Sequence, residues 1–375
     1  MIKTAKFRNF KALHDVSLEL GRFTVLVGPN GSGKTSILEG LNYVADGATK
    51  RLPEVFGSRE DPWLLATVGH QDLMSLFCAD ERGWMALGKG PDTDFELATS
   101  KTESREFLDI ELRGERGRIS RQRGGGPVSN LRYFGPAILL RLDVRCLSAP
   151  SYSEEPVPRI EPDGKGLASV LAYLSGNRPE DYERLLEALQ RVVPMVRAMR
   201  FPRAEIMEPV EEVVTIDGKT FTRSGKRALW GNSIEFDMEG APRIPARMTS
   251  EGTLLVLGLL TALMGPEQPR LVLLDDLDRA LHPKAQEDLV VLLRKLLDQH
   301  PEMQIVATSH SPYLLHHLLP EEVLLTALRK DGSVVCGRLD EHPQFERWKD
   351  EMTPGELWSL FGERWLVEAD AGEEG

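Results

Sequence analysis

Short runs of consecutive apolar residues, each closed by a polar or glycine-rich turn, recur along the chain. Phe23-Thr24-Val25-Leu26-Val27, Leu271-Val272-Leu273-Leu274 and Gln304-Ile305-Val306-Ala307-Thr308 are three of them. Their length and their turn boundaries predict buried strands. Ile2 to Phe10 and Val16-Ser17-Leu18-Glu19-Leu20 also read as strands, the second with clean apolar–polar alternation. Elsewhere the period changes. Ile37 to Val44 has helical spacing, and so does the apolar Leu254 to Leu260. Tyr182, Leu185, Leu186, Leu189, Val192 and Val193 recur at i, i+3, i+4 and i+7, which predicts helix across 165–200 with one face on the core. Phe95–Thr99 and Phe107–Leu112 alternate like antiparallel strands, and Val213–Phe221 reads as a hairpin around Asp217-Gly218. The pattern predicts an α/β fold with a mixed β-sheet, interrupted by an antiparallel and helical lobe. The expected boundaries are 1–50 and 240–340 for the core, 51–239 for the inserted lobe, and 341–375 for a C-terminal tail.

The turn after the first buried run carries chemistry. Gly28-Pro29-Asn30-Gly31-Ser32-Gly33-Lys34-Thr35-Ser36 fits G-x-x-x-x-G-K-[ST] without a mismatch, between a strand and a helix. Glycines let backbone N–H groups turn inward around phosphate oxygens, and the helix N-terminus adds partial positive charge. Asn30, Gly31, Ser32, Gly33, Lys34, Thr35 and Ser36 are therefore expected to line a nucleotide phosphate site. Lys34 is expected to reach the β- and γ-phosphates, and the Thr35 hydroxyl to bind Mg²⁺. The second run ends in Asp275-Asp276, with Asp278 beyond. In a phosphate-loop ATPase the first carboxylate holds the metal and the second activates the attacking water. His310, in Ser309-His310-Ser311-Pro312, follows the third run at the carboxyl end of a strand, where open α/β sheets bind ligands. It is the candidate γ-phosphate sensor. In Met248-Thr249-Ser250-Glu251-Gly252-Thr253, Ser250 is placed to cap a helix and Gly252 to let backbone approach a ligand.

Together these segments resemble the ATP-binding-cassette (ABC) class of ATPases, in the branch containing RecF, SMC and OLD-family proteins. Thr308-Ser309-His310-Ser311-Pro312 and Leu281-His282-Pro283 resemble the OLD version, and Gly164 to Leu171 resembles stand-alone OLD-like ATPases. The resemblance implies a phosphate-loop ATPase head using ATP and Mg²⁺. It implies a homodimer sandwiching two ATP molecules. Each site would combine Lys34, Thr35, Asp275, Asp276 and His310 of one subunit with Ser250 and Gly252 of the other. The family usually has Glu where Asp276 stands, one methylene longer, so the resemblance implies slow hydrolysis or a base role shared with Asp278. Stand-alone ATPases of this kind commonly serve beside a separate nuclease-type effector in anti-phage defence. About sixty residues follow His310, too few for a fused nuclease domain.

Composition narrows the partners. Net charge is −12, so any nucleic-acid contact must come from a local patch. Arg113, Arg116, Arg118, Arg121 and Arg123 crowd before a glycine-rich tip. That segment reads either as a finger along a DNA backbone, in a RecF-like repair ATPase, or as a solvated hairpin. A transporter subunit is disfavoured by the span of over two hundred residues between Ser36 and Thr249. Cys78, Cys146 and Cys336 lie far apart without metal-ligand spacing. With no apolar run long enough to span a membrane and no leader pattern after Met1, they predict a cytoplasmic protein. The tail holds Trp348, Trp358 and Trp365. Pro354–Phe361 reads as a short amphipathic helix whose aromatics pack on the core or dock a partner. From Glu368 onward the acidic tail is expected to lack fixed structure.

Overall fold

The computed structural model describes residues 1–49, 74–80, 83–89, 96–100, 136–216 and 219–371. These fall into two compact units. The first comprises 1–139, 269–278 and 282–375; the second comprises 140–268 with 279–281.

In the first unit, β1 (Thr4–Phe10) and β2 (Leu13–Glu19) form an antiparallel hairpin. Residues of β2 alternate between buried and exposed, as the sequence predicts for a sheet with one covered face. All five residues of β3 (Phe23–Val27) are buried. The chain then turns into α1 (Lys34–Thr49). Its apolar side chains Ile37, Leu38, Leu41 and Val44 share a core with Phe7, Phe10 and Leu13 of the hairpin and with Leu273 and Val306. Strands β4 (Met74–Asp80), β5 (Gly83–Lys89) and β6 (Glu96–Ser100) extend the hairpin into a five-stranded sheet, ordered β2-β1-β4-β5-β6. These strands therefore belong with the first unit, whereas the sequence boundaries placed them in the inserted lobe. β4 pairs directly along β1, from Thr4 opposite Ala79 to Arg8 opposite Ser75, a long-range pairing with no local signature. The Phe107–Leu112 segment and the arginine run lie outside the described residues. β7 (Ala137–Leu140) ends at the boundary with the second unit.

The second unit opens with α2 (Val144–Ser148), capped by the Asp143 carboxylate, and continues through α3 (Leu167–Asn177) and α4 (Pro179–Val192). Leu185, Ala188, Leu189 and Val192 form the buried stripe of α4. Helix ends there because Pro194 disfavours helical backbone at Val193, so Val196–Arg200 is strand β8 and not the helical continuation expected. A long ribbon pairs β9 (Arg203–Ile216) with β10 (Lys219–Asn232), with Ile216 opposite Lys219; the expected Asp217-Gly218 turn itself lies outside the described residues. β11 (Glu235–Met238) joins β12 (Ala241–Pro245) and β8 in a three-stranded sheet. α5 (Glu251–Met264) is apolar on all sides and is the core helix of this unit. The sequence boundaries assigned α5 to the ATPase core, but its packing partners are α2, α3 and α4.

Back in the first unit, β13 (Leu271–Leu274), α6 (Pro283–Gln299), β14 (Gln304–Thr308), α7 (Pro312–Leu315), β15 (Val323–Leu328) and β16 (Val334–Arg338) complete the central sheet. Its order is β16-β15-β3-β14-β13-β7. β13, β14, β3 and β15 run parallel, and β16 is antiparallel, giving the mixed sheet expected. The tail follows as α8 (Phe345–Trp348), α9 (Pro354–Phe361) and α10 (Arg364–Ala371). α9 begins with a Thr353–Glu356 capping box and Pro354, as its sequence predicts. Trp365 meets the His342 ring edge-on, and Leu366 crowds Gly337, so the tail aromatics pack within this unit. Glu368 lies inside α10, where the sequence predicted no fixed structure. No helix among the described residues is long and apolar enough to cross a membrane.

Candidate nucleotide-binding site

The turn between β3 and α1 needs backbone that only glycine adopts freely. Gly28, Gly31 and Gly33 have φ of 146°, 82° and 89°. Lys34 opens α1 and is buried. Its Nζ arches back and donates to the carbonyls of Gly28, at 2.8 Å, and Pro29, at 2.9 Å. Burial pushes its pKa below the usual lysine value, opposed by the negative charges of Asp276, Asp275 and Glu363. A buried ammonium bonded to loop carbonyls, beside three glycines with left-handed backbone, is suited to an incoming polyphosphate.

The two carboxylates follow β13. Asp275 faces Thr35, whose Oγ1 lies 3.4 Å from Oδ1 and 3.3 Å from Oδ2. Adjacent oxygens on one octahedral Mg²⁺ sit about 3 Å apart, so this pair fits a shared hard cation. No group of three or more His, Cys, Asp or Glu side chains among the described residues is arranged for a metal. That is compatible with Mg²⁺, which takes one or two protein oxygens and completes its shell with water and substrate phosphate.

Asp276 has φ of 58°, a left-handed conformation that Asp tolerates better than most residues. Its backbone N–H donates to Thr308 Oγ1 at 2.8 Å, while the Thr308 hydroxyl donates to Asp275 Oδ1 at 2.8 Å. The buried Thr308 thus fastens both carboxylate residues to the end of β14. Asp278 Oδ1 accepts the backbone N–H of His310 at 3.0 Å. Its carboxylate holds the segment carrying the sensor candidate, whose own residue is exposed. Lys34, Thr35, Asp275, Asp276, Asp278 and His310 all belong to the first unit.

Ser250 and Gly252 belong to the second. Ser250 is exposed and caps α5, accepting the Thr253 N–H at 3.3 Å. Gly252 is buried, and a Cβ there would fall 2.5 Å from the Ala280 carbonyl oxygen. Gly252 thus makes a close backbone approach within the unit, to Ala280, which itself has φ of 57°; the approach to a ligand expected of it is a separate matter. Glu251 and Arg279 pair across the same contact at 2.7 Å.

Known proteins share this framework. Residues 5–129 match a family model described as an AAA domain. Residues 142–316 match a second, described as an AAA domain, putative AbiEii toxin, type IV TA system. The OLD nuclease of Thermus scotoductus is 26% identical over 91% of this chain and 65% of its own length. The chain is similar to the OLD nuclease along most of its own length and has the fold of an ABC-type ATPase. The Septu protein PtuA of Bacillus thuringiensis is 33% identical over a shorter stretch, 18% of this chain and 17% of that one. Among solved structures, an SMC head bound to the C-winged helix domain of ScpA superposes with a TM-score of 0.54 at 14% identity. That alignment covers 92% of this chain and 99% of the head, and it shares the fold.

In this chain the sequence reading passed over Thr308 as a site residue. The available signal was a polar residue closing an apolar run at the carboxyl end of a strand. Replacing Thr308 by Val removes the donor to Asp275 and the acceptor for the Asp276 N–H. ATP turnover is expected to fall about tenfold and to need more Mg²⁺ for half-maximal rate, with Thr308→Ser close to wild type. Steady-state assays across a Mg²⁺ titration check this. A Thr308→Val enzyme with unchanged Mg²⁺ dependence would show that the hydroxyl positions nothing.

Proposed function

We propose that this protein is an ATP-driven switch: it binds and hydrolyses ATP, dimerises on ATP, and controls a separate nuclease-type effector in anti-phage defence. The observation that carries the reading is the Lys34 ammonium over a glycine loop, with Thr35 and Asp275 facing each other beside it. Asn30, Gly31, Ser32, Gly33, Lys34, Thr35 and Ser36 bind the phosphates, and Thr35 and Asp275 hold Mg²⁺. The metal would neutralise charge building between the β- and γ-phosphate oxygens. Asp276 takes a proton from the attacking water, and His310 reads the γ-phosphate. Asp278, occupied by the His310 backbone, is the second candidate for the base.

Closure requires a second copy, whose Ser250 and Gly252 complete the site. The γ-phosphate gains those contacts only in the closed dimer, so ATP shifts the population toward it and hydrolysis releases it. Ser250 is exposed at the start of the 14-residue helix α5, which supports an anion contact in trans. The effector rests on kinship with the OLD nuclease, of whose length this chain spans 65%.

In the Ser250→Arg variant, ATP binding by the monomer is expected to persist while the closed dimer is lost, because a guanidinium would fill the γ-phosphate position in trans. Light scattering in an Asp276→Asn background reads this. Dimers that survive the added Ser250→Arg change would reject the sandwich. The rival reading, a RecF-like ATPase acting on DNA, rests on the Arg113–Arg123 run. Salt-dependent DNA binding by the isolated chain would favour it.

A further inference from the structure

Thr326 lies in β15, one residue beyond Leu325, the last position paired with β3. It is a fully buried hydroxyl in an apolar strand, Val323-Leu324-Leu325-Thr326-Ala327, whose other members are buried too. A hydroxyl so placed must find partners. Thr326 Oγ1 donates to the carbonyl of Val27 at 3.1 Å and lies 2.5 Å from Ser32 Oγ. A threonine hydroxyl carries one proton. That proton goes to Val27, so Ser32 is the donor in the shorter contact. Ser32 is itself only 1% exposed, although it sits in the middle of the phosphate loop.

The same residue shapes the start of the loop. A Cβ on Gly28 would fall 2.2 Å from the Thr326 carbonyl oxygen and 2.6 Å from its Oγ1. At Gly33 a Cβ would fall 2.7 Å from the Val334 side chain on β16. Three loop residues, Gly28, Ser32 and Gly33, are thus seated against the β15–β16 hairpin.

We propose that Thr326 is a positioning residue for nucleotide binding. Its hydroxyl, acting through Ser32, holds the loop in the conformation that turns backbone N–H groups inward. The proposal rests on the reading of residues 28–36 as a phosphate site and adds the element that holds that site in shape. Without the Thr326 acceptor, Ser32 keeps a buried hydroxyl with nothing to receive its proton. The loop then rearranges to satisfy it, and the phosphate-ready form becomes a minor population, which weakens apparent affinity by the fraction lost.

The test uses the full chain and calorimetric titration with ATP and Mg²⁺, well below each variant's melting temperature. Thr326→Val, similar in shape, is expected to weaken ATP binding about tenfold, and Thr326→Ser to return it to about wild type. Ser32→Ala alone is expected to weaken binding as well. The double variant is expected to bind no more weakly than Thr326→Val, because both changes break one link. Additive losses in the double variant overturn the proposal. So does a Thr326→Val protein that melts earlier yet binds ATP as wild type does. If Thr326→Val does not fold, Ser32→Ala with unchanged affinity overturns it equally. A wild-type chain that binds no ATP removes the phosphate-site reading itself, a different failure from wild-type binding that is indifferent to Thr326.

Discussion

Asp276→Asn is expected to lower ATP hydrolysis by a factor of about a hundred or more while leaving ATP binding intact. Asn keeps the size of the side chain and its tolerance of the left-handed backbone at φ 58°. The Asp276 N–H also keeps its bond to Thr308, since that contact is made by the backbone. What is lost is the carboxylate proposed to accept the proton of the attacking water. A variant that binds without turning over should accumulate as the ATP-bound dimer, visible by light scattering. Pre-steady-state and steady-state phosphate release locate the defect in the chemical step. If Asp276→Asn still turns over normally and Asp278→Asn does not, the base is Asp278. That outcome would mean the Asp278 carboxylate leaves the His310 backbone N–H during the cycle.

Lys34→Ala is expected to abolish ATP binding and hence turnover. The Nζ that now bonds the Gly28 and Pro29 carbonyls is the cation proposed to meet the phosphates. Folding should suffer little. Lys34 has its pKa depressed by burial, so its charged form costs stability at every pH where the unfolded lysine is protonated. Removing it relieves that cost and offsets the two lost loop bonds. The thermal signature is therefore specific. The melting temperature without nucleotide stays near wild type, and the rise that ATP gives the wild-type protein disappears. At a hundredfold excess over Kd that rise corresponds to about 2.7 kcal/mol.

Legibility in the sequence followed the range of the interactions involved. The phosphate loop, β3, α1 and the Asp275-Asp276 turn are written in contiguous residues, and periodicity with glycine placement reports them directly. The Thr353 capping box and the β9–β10 hairpin are equally local. Contacts between distant segments were not legible. Thr308 reaches Asp275 and Asp276 across two strands, and Thr326 meets Ser32 nearly three hundred positions away. Both look like ordinary polar residues in apolar runs until the sheet order brings them to the loop. The make-up of the two compact units was illegible for the same reason. Pairing of β4 along β1, and burial of α5 against α2 to α4, are decided by partners and not by period. Helical periodicity also overran its end at Val192, where Pro194 outweighs the apolar spacing.

The central claim is that residues 28–36 bind the phosphates of ATP with Mg²⁺ at the Thr35–Asp275 pair. Calorimetric titration of ATP and Mg²⁺ into wild type and Lys34→Ala, side by side, tests it most directly. Saturable binding by wild type and none by Lys34→Ala, with both proteins folded, is the predicted result. Equal affinity in the two proteins would contradict it.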